Sequence, residues 1–225
     1  MFADEVGVII AFGDSLTEGC GNEVSSCGVT PRPGDCTYDY ETILKALLTE
    51  NRYEFTVHNF GVGGETTVDG INRLPYVFDN ACNQRAEYIL LLEGTNDLLH
   101  GAMGANVKFN LGIMIDMSRE NGLEPLLATL PPDSEPDNQY KNIPLMNQYI
   151  RELAVEKNVT LVEQYNALEP NWGTYTNPRG CYGDLTHPNS TGFDVIGTVW
   201  YESLTDVLPP PAQSLAWVIL LLNTQ

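Results

Sequence analysis

Apolar residues along this chain gather in short runs, separated by longer stretches with a helical rhythm. Five of the runs are continuous: Val6–Phe12, Phe55–Phe60, Tyr88–Leu92, Pro125–Leu130 and Val159–Gln164. A strand open to water on one side alternates apolar and polar positions, so continuous β-branched and leucine-rich runs predict strands covered on both faces. In the intervening segments apolar residues recur every three or four positions. Tyr40–Glu50 carries Ile43, Leu44, Leu47 and Leu48; Val107–Glu120 carries Leu111, Met114 and Ile115; Ile143–Lys157 carries Met146, Tyr149, Ile150 and Leu153. A last helix is expected over Ser190–Leu204, capped by Asn189 or Ser190, and another is expected to start near Thr67. Strands that alternate with helices in this way predict an α/β protein, with a parallel sheet wrapped on both faces. The segments Cys20–Thr37 and Pro131–Asn142 read as long loops, a class that often serves binding or closure.

Residues 1–208 read as one domain and 209–225 as an appendage, in which the stiff Pro209-Pro210-Pro211 precedes the apolar run Leu215–Leu222. That run is far shorter than the roughly 20 residues that cross a bilayer, so no stable membrane insertion is expected. It could pack on the domain or a neighbouring chain, or be the stub of an anchor.

Composition narrows the partners. The chain has 225 residues, 43% of them hydrophobic, which suffices for a substantial core. Its formal net charge is −19 and it has only four lysines, so it would repel both phosphate backbones and anionic lipid surfaces. No nucleic-acid partner is expected. The five cysteines, at 20, 27, 36, 82 and 181, include no Cys-x-x-Cys pair, and histidine occurs only at 58, 100 and 187, so a structural metal site is not expected. Three of the cysteines crowd the Gly- and Pro-rich stretch Cys20–Cys36. This reads as a stapled loop of an exported protein, with free buried thiols as the alternative. Met1-Phe2-Ala3-Asp4-Glu5 lacks the basic start of a signal peptide. The expectation is a secreted or periplasmic protein whose chain begins at a mature end, rather than a cytoplasmic one. Oligomeric state is not legible.

In an open α/β sheet, ligands bind beyond the carboxyl ends of the strands. Gly13-Asp14-Ser15-Leu16 follows the first run, Asn59-Phe60-Gly61-Val62-Gly63-Gly64 includes the end of the second, Gly94-Thr95-Asn96-Asp97 follows the third, and Asp184-Leu185-Thr186-His187 lies beyond the fifth. Taken singly, Ser15 would be an N-cap, the glycines a tight turn and Asp184 a turn cap. Together they place a hydroxyl, a backbone-exposing glycine, a carboxamide and an Asp-x-x-His pair on one edge. Acyl transfer needs a nucleophile, a base and donors for an oxyanion, and this set contains all three.

Quoted in order, these four segments resemble the blocks of the SGNH/GDSL hydrolase family, and the spelling of the second is similar to that of the platelet-activating-factor acetylhydrolase branch. The resemblance runs from residue 6 to about 205. It implies a flavodoxin-like three-layer α/β/α sandwich with a five-stranded parallel sheet, and chemistry without metal or organic cofactor. It also implies Ser15 as nucleophile, His187 as base and Asp184 as its orienter. The oxyanion hole would be formed by the Ser15 and Gly64 N–H groups and the Asn96 side chain. The expected activity is hydrolysis of short-chain acyl esters, of a small molecule or a carbohydrate, by a Ser15 acyl-enzyme. Sugar deacetylation, lysophospholipase and thioesterase activities remain open alternatives, and a non-catalytic binding module is the alternative of a different class. Asp14, Glu18, Glu65, Asp97 and Asp184 are expected to surround the pocket with negative charge, and Tyr140, Trp172, Tyr175 and Tyr182 are candidates for stacking on a sugar ring.

Overall fold

A computed structural model describes residues 6–20, 22–25, 28–31, 38–136, 142–176 and 183–211. Five parallel strands form the centre: β1 (Gly7–Gly13), β4 (Phe55–Gly61), β5 (Ala86–Leu92), β6 (Glu124–Ala128) and β7 (Thr160–Val162). Their spatial order, β4-β1-β5-β6-β7, is that of the flavodoxin-like doubly wound sheet. Every residue of β1 is buried, which accounts for its unbroken apolar run. A hairpin inside the segment read as a loop adds two antiparallel strands, β2 (Asn22–Ser25) and β3 (Gly28–Pro31), beside β4. Among the described residues the sheet therefore has seven strands.

Helices cover the sheet. α2 (Tyr40–Glu50) packs on α9 (Ser190–Thr205), with Tyr40 stacked on Trp200 at 6.1 Å between ring centroids. α3 (Thr67–Phe78), α5 (Gly104–Glu120) and α6 (Ile143–Lys157) form a second row. Several starts obey local capping chemistry. Asp39 caps α2, Thr66 and Asp69 form a capping box on α3, Asn142 caps α6, and Asn189 caps α9 through the Gly192 N–H. Four further α-helices among the described residues are short: α1 (Ser15–Glu18), α4 (Thr95–Leu99), α7 (Gln164–Leu168) and α8 (Trp172–Tyr175). Val159–Gln164 is only partly a strand, because α7 begins at Gln164, whose amide turns inward to the Ile196 carbonyl.

Cys20 and Cys82 are both disulfide-bonded. Cys27, Cys36 and Cys181 lie outside the described residues, as does 212–225 with the apolar run Leu215–Leu222. No helix among the described residues is long and apolar enough to cross a membrane.

One buried acid sits within this architecture. Glu41 on α2 is 5% exposed, and neither carboxyl oxygen has a well-formed hydrogen bond among the described residues. Burial, reinforced by the charge of Asp39, pushes its carboxyl well above the ordinary glutamate range. The fold therefore keeps a proton that the unfolded chain releases. Its stabilising effect is complete below the ordinary glutamate pKa and is lost as pH rises towards the folded value. The thermal midpoint should fall between about pH 5 and pH 8, and Glu41→Gln should flatten part of that fall in scanning calorimetry. Identical slopes in the two proteins would remove Glu41 from the explanation.

Candidate active site

The three central strands stop at one level, since Gly13 pairs with Gly61 of β4 and with Leu92 of β5. The segments that follow them leave the sheet side by side, where the strand order reverses. After β1 the chain turns at once into α1, with Asp14 accepting the Leu16 N–H at 2.9 Å and Ser15 as the first helical residue. This turn lies flat on β4. A Cβ at Gly61 would collide with the backbone of Thr17 and Glu18, so only glycine fits there. The Asn59 amide donates to the Thr17 carbonyl at 2.7 Å and accepts the Gly61 N–H at 2.9 Å, tying the two segments together.

Ser15 is partly exposed, and its Oγ lies 2.8 Å from His187 Nε2. His187 Nδ1 lies 2.7 Å from Asp184 Oδ2. With Nδ1–H donated to the carboxylate, Nε2 presents its lone pair to the serine hydroxyl. The Asp184 Oδ1 atom accepts the backbone N–H groups of His187 at 2.8 Å and Thr186 at 3.0 Å. Partial burial opposes ionisation of Asp184, but these hydrogen bonds outweigh it and hold the carboxyl below its ordinary range.

The 184–187 loop is itself clamped from outside. Leu185 N–H donates to Glu135 Oε2 at 3.0 Å, and the Leu185 carbonyl accepts from Ser134 N–H at 3.3 Å and Trp172 Nε1 at 3.2 Å. Thr186 Oγ1 donates to Asp133 at 3.1 Å. The expected loop over Pro131–Asn142 thus begins as a brace, and residues 137–141 lie outside the described set. Trp172, a candidate for sugar stacking, is 4% exposed and spends its N–H on this brace. Tyr175 packs against the core. Tyr140 and Tyr182 lie outside the described residues.

Facing Ser15 is the turn Val62-Gly63-Gly64-Glu65, closed by the Glu65 N–H on the Val62 carbonyl at 3.2 Å. Gly64 has φ +79°, the left-handed region that favours glycine, and is exposed. A Cβ at Gly63 would come within 3.9 Å of Ser15 Cβ, which measures how near this turn lies to the hydroxyl. Neither the Ser15 nor the Gly64 N–H has an acceptor among the described residues. Asn96, at the start of α4, donates from Nδ2 to the Glu65 carbonyl at 2.8 Å and makes a longer contact of 3.3 Å with Asp14 Oδ2.

The acids around the site differ from the expected ring of negative charge. Asp14, Glu65 and Asp97 are buried and engaged. Glu65 holds Arg73 through two bonds of 2.6 and 2.5 Å, and the guanidinium lies over the Phe12 ring at 4.1 Å from its centroid. Asp97 accepts the Thr67 N–H at 2.8 Å and hydroxyl at 2.6 Å. Only Glu18 and Asp184 remain partly exposed. Glu135, Asp133 and Arg73 were not legible as site residues, since each belongs to a type that ordinarily decorates a surface.

The profile of the GDSL-like Lipase/Acylhydrolase family matches residues 11–195. The uncharacterized lipoprotein YqeF of Bacillus subtilis is 30% identical over 144 residues, 59% of this chain and 51% of that protein. Esterase TesA of Pseudomonas aeruginosa is 26% identical over 130 residues, 57% of each chain. The chain thus spans about half the length of these curated relatives. Among solved structures, a lipase/acylhydrolase from Enterococcus faecalis superposes with a TM-score of 0.71 at 21% identity, over 92% of this chain and 100% of that one.

The brace has a direct signature. Glu135→Ala should speed hydrogen exchange at the Leu185 amide, whereas Glu135→Gln, which keeps an acceptor, should leave it near the wild-type rate. Equal exchange in all three proteins would show that the Glu135 carboxylate does not hold this loop.

Proposed function

This chain belongs to the GDSL-like lipase/acylhydrolase family, and we propose that it is a carboxylic ester hydrolase that cleaves short-chain acyl esters through an acyl-enzyme on Ser15. The unbroken hydrogen-bond relay Asp184–His187–Ser15, with contacts of 2.7 and 2.8 Å, carries this reading.

Each step follows from a named atom. Ser15 Oγ adds to the ester carbonyl carbon as its proton passes to His187 Nε2, and the imidazolium formed is stabilised by Asp184. The carbonyl oxygen becomes an oxyanion, received by two backbone N–H groups that have no acceptor among the described residues, those of Ser15 and Gly64. Asn96 supplies the third donor. One of its amide hydrogens is committed to the Glu65 carbonyl, and the other, held only by the long contact to Asp14, turns to the oxyanion. Collapse expels the alcohol, which takes the proton from His187 and leaves the acyl group on Ser15. Water, deprotonated by His187, then attacks this ester, and departure of Ser15 Oγ releases the acid. All these steps use side chains and backbone of the chain itself.

The partial exposure of Ser15 and the exposure of Gly64 support a reaction at the open sheet edge, with small acyl groups and a small molecule or a sugar on the alcohol side. The disulfides at Cys20 and Cys82 favour a secreted or periplasmic location, because such bonds persist in oxidising compartments.

Ser15→Ala should retain the fold and lose turnover by a factor on the order of 10⁶. This is measured on p-nitrophenyl esters from acetate to decanoate and on acetylated xylan. Residual esterase activity near the wild-type level would overturn the mechanism. For Asn96→Ala, kcat should fall on the order of 10²–10³-fold with KM little changed. An unchanged kcat would take Asn96 out of the oxyanion hole.

A further inference from the structure

A carboxyl group that this chemistry does not use is buried between the end of β5 and the start of α4. Glu93 follows β5 and is 1% exposed. Its Oε2 accepts the N–H of Gly94 at 3.1 Å, while Oε1 finds no donor among the described residues. The side-chain group beside Glu93 is the carboxyl of Glu65. Two ionised carboxylates in contact in a dry interior repel strongly, and the pair becomes attractive only when one of them carries a proton.

The surroundings decide which one. Glu65 has both oxygens on the Arg73 guanidinium, a partner that requires the ionised form. Glu93 has one backbone N–H and no cation. The charged and titratable groups that bear on it are Asp14 from the β1–α1 turn, Glu65 from the β4–α3 turn with Arg73 of α3 behind it, and Asp97 of α4. Burial first, and then the charges of Asp14 and Glu65, push the Glu93 carboxyl well above its ordinary range.

Resting on the ester-hydrolase reading above, we propose that Glu93 is a neutral carboxylic acid that donates its proton to Glu65 and so acts as a positioning residue for the oxyanion hole. The bond joins the two segments that carry Gly64 and Asn96. On one side, Glu65 belongs to the Gly64 turn, and its carbonyl holds the Asn96 amide at 2.8 Å. On the other, Glu93 holds the N–H of Gly94, whose φ of +118° opens α4 two residues ahead of Asn96. Arg73, seated on Phe12, anchors the far end of the chain. Loss of the Glu93 proton would set two carboxylates face to face, beside Asp14 and Asp97, and drive the two segments apart.

The test compares wild type, Glu93→Gln and Glu93→Met. Glutamine keeps a donor for Glu65 and an acceptor for Gly94; methionine fills the space with neither. Methionine should lower kcat by a factor on the order of 10–10², the cost of a small misplacement of donors, with KM little changed. Glutamine should restore most of that loss. It should also lose the alkaline fall in kcat that wild type shows as Glu93 ionises. Infrared difference spectra supply a readout that does not depend on turnover: wild type at neutral pH should show, beside the band of Glu41, a protonated-carboxyl C=O band that is absent from Glu93→Gln. Equal kinetics and pH profiles in wild type and Glu93→Met, or no band lost on Glu93→Gln, would overturn the proposal. If methionine prevents folding, the glutamine pH profile and the band decide the matter. Absence of turnover in wild type would count against ester hydrolysis itself, and the band would still decide the protonation of Glu93.

Discussion

The hydrogen bond between the His187 imidazole and the Ser15 hydroxyl joins residues 172 positions apart, and it forms because two unrelated loops reach the same sheet edge. The serine side is set by backbone crowding. β1 and β4 end level with one another, α1 lies flat on the end of β4, and Gly61 leaves room for it. The histidine side is set by the brace at Leu185, where Glu135, Ser134 and Trp172 fix a loop that has no regular structure of its own. A distance of 2.8 Å between side chains from such different supports is a joint outcome of packing and loop hydrogen bonding. A geometry of this kind, held from both sides, is what proton transfer in acyl chemistry requires.

The chain is strongly acidic, with a net charge of −19, yet the acids nearest the relay do not form an open negative surface. Asp14 caps α1, Asp97 caps the approach to α3 through Thr67, Glu65 grips Arg73, and Glu93 is neutralised by its own proton. Each is a polar group that burial would otherwise penalise by a few kcal/mol, and each is engaged by a group of its own turn or of a neighbouring segment. The buried acids thus act as stitches between the three segments around the oxyanion position. The same logic explains why Arg73 is held on both its charged fork and its flat face.

Much of the fold was legible where local chemistry and hydrophobic rhythm agree. Tyr40–Glu50 and Ile143–Lys157 are helices over the very residues read from their apolar spacing, because Asp39 and Asn142 supply caps where the rhythm begins. Thr160–Val162 is shorter than the run Val159–Gln164, since an apolar run that passes from strand into helix shows no change of character. The hairpin β2–β3 was hidden because its pairing is main-chain and its residues include Gly, Pro and Asn, which signal loops. Around the site, Ser15, Asn96, Asp184 and His187 stood out by their motif spelling, and the structure brings Ser15, Asp184 and His187 into one chain of hydrogen bonds. The supports did not stand out. Glu135 meets Leu185 across 50 positions, and Glu65 meets Glu93 across a sheet crossover, contacts that no local spacing encodes.

The account stands on the nucleophilicity of one oxygen. Treatment of the folded protein with a fluorophosphonate, followed by intact-mass measurement and peptide mapping, tests that directly. One phosphonyl group per chain is expected on the peptide containing Ser15, at a rate that collapses in His187→Ala. A folded chain that takes no label, or takes it on another residue at the same rate with and without His187, would contradict the relay.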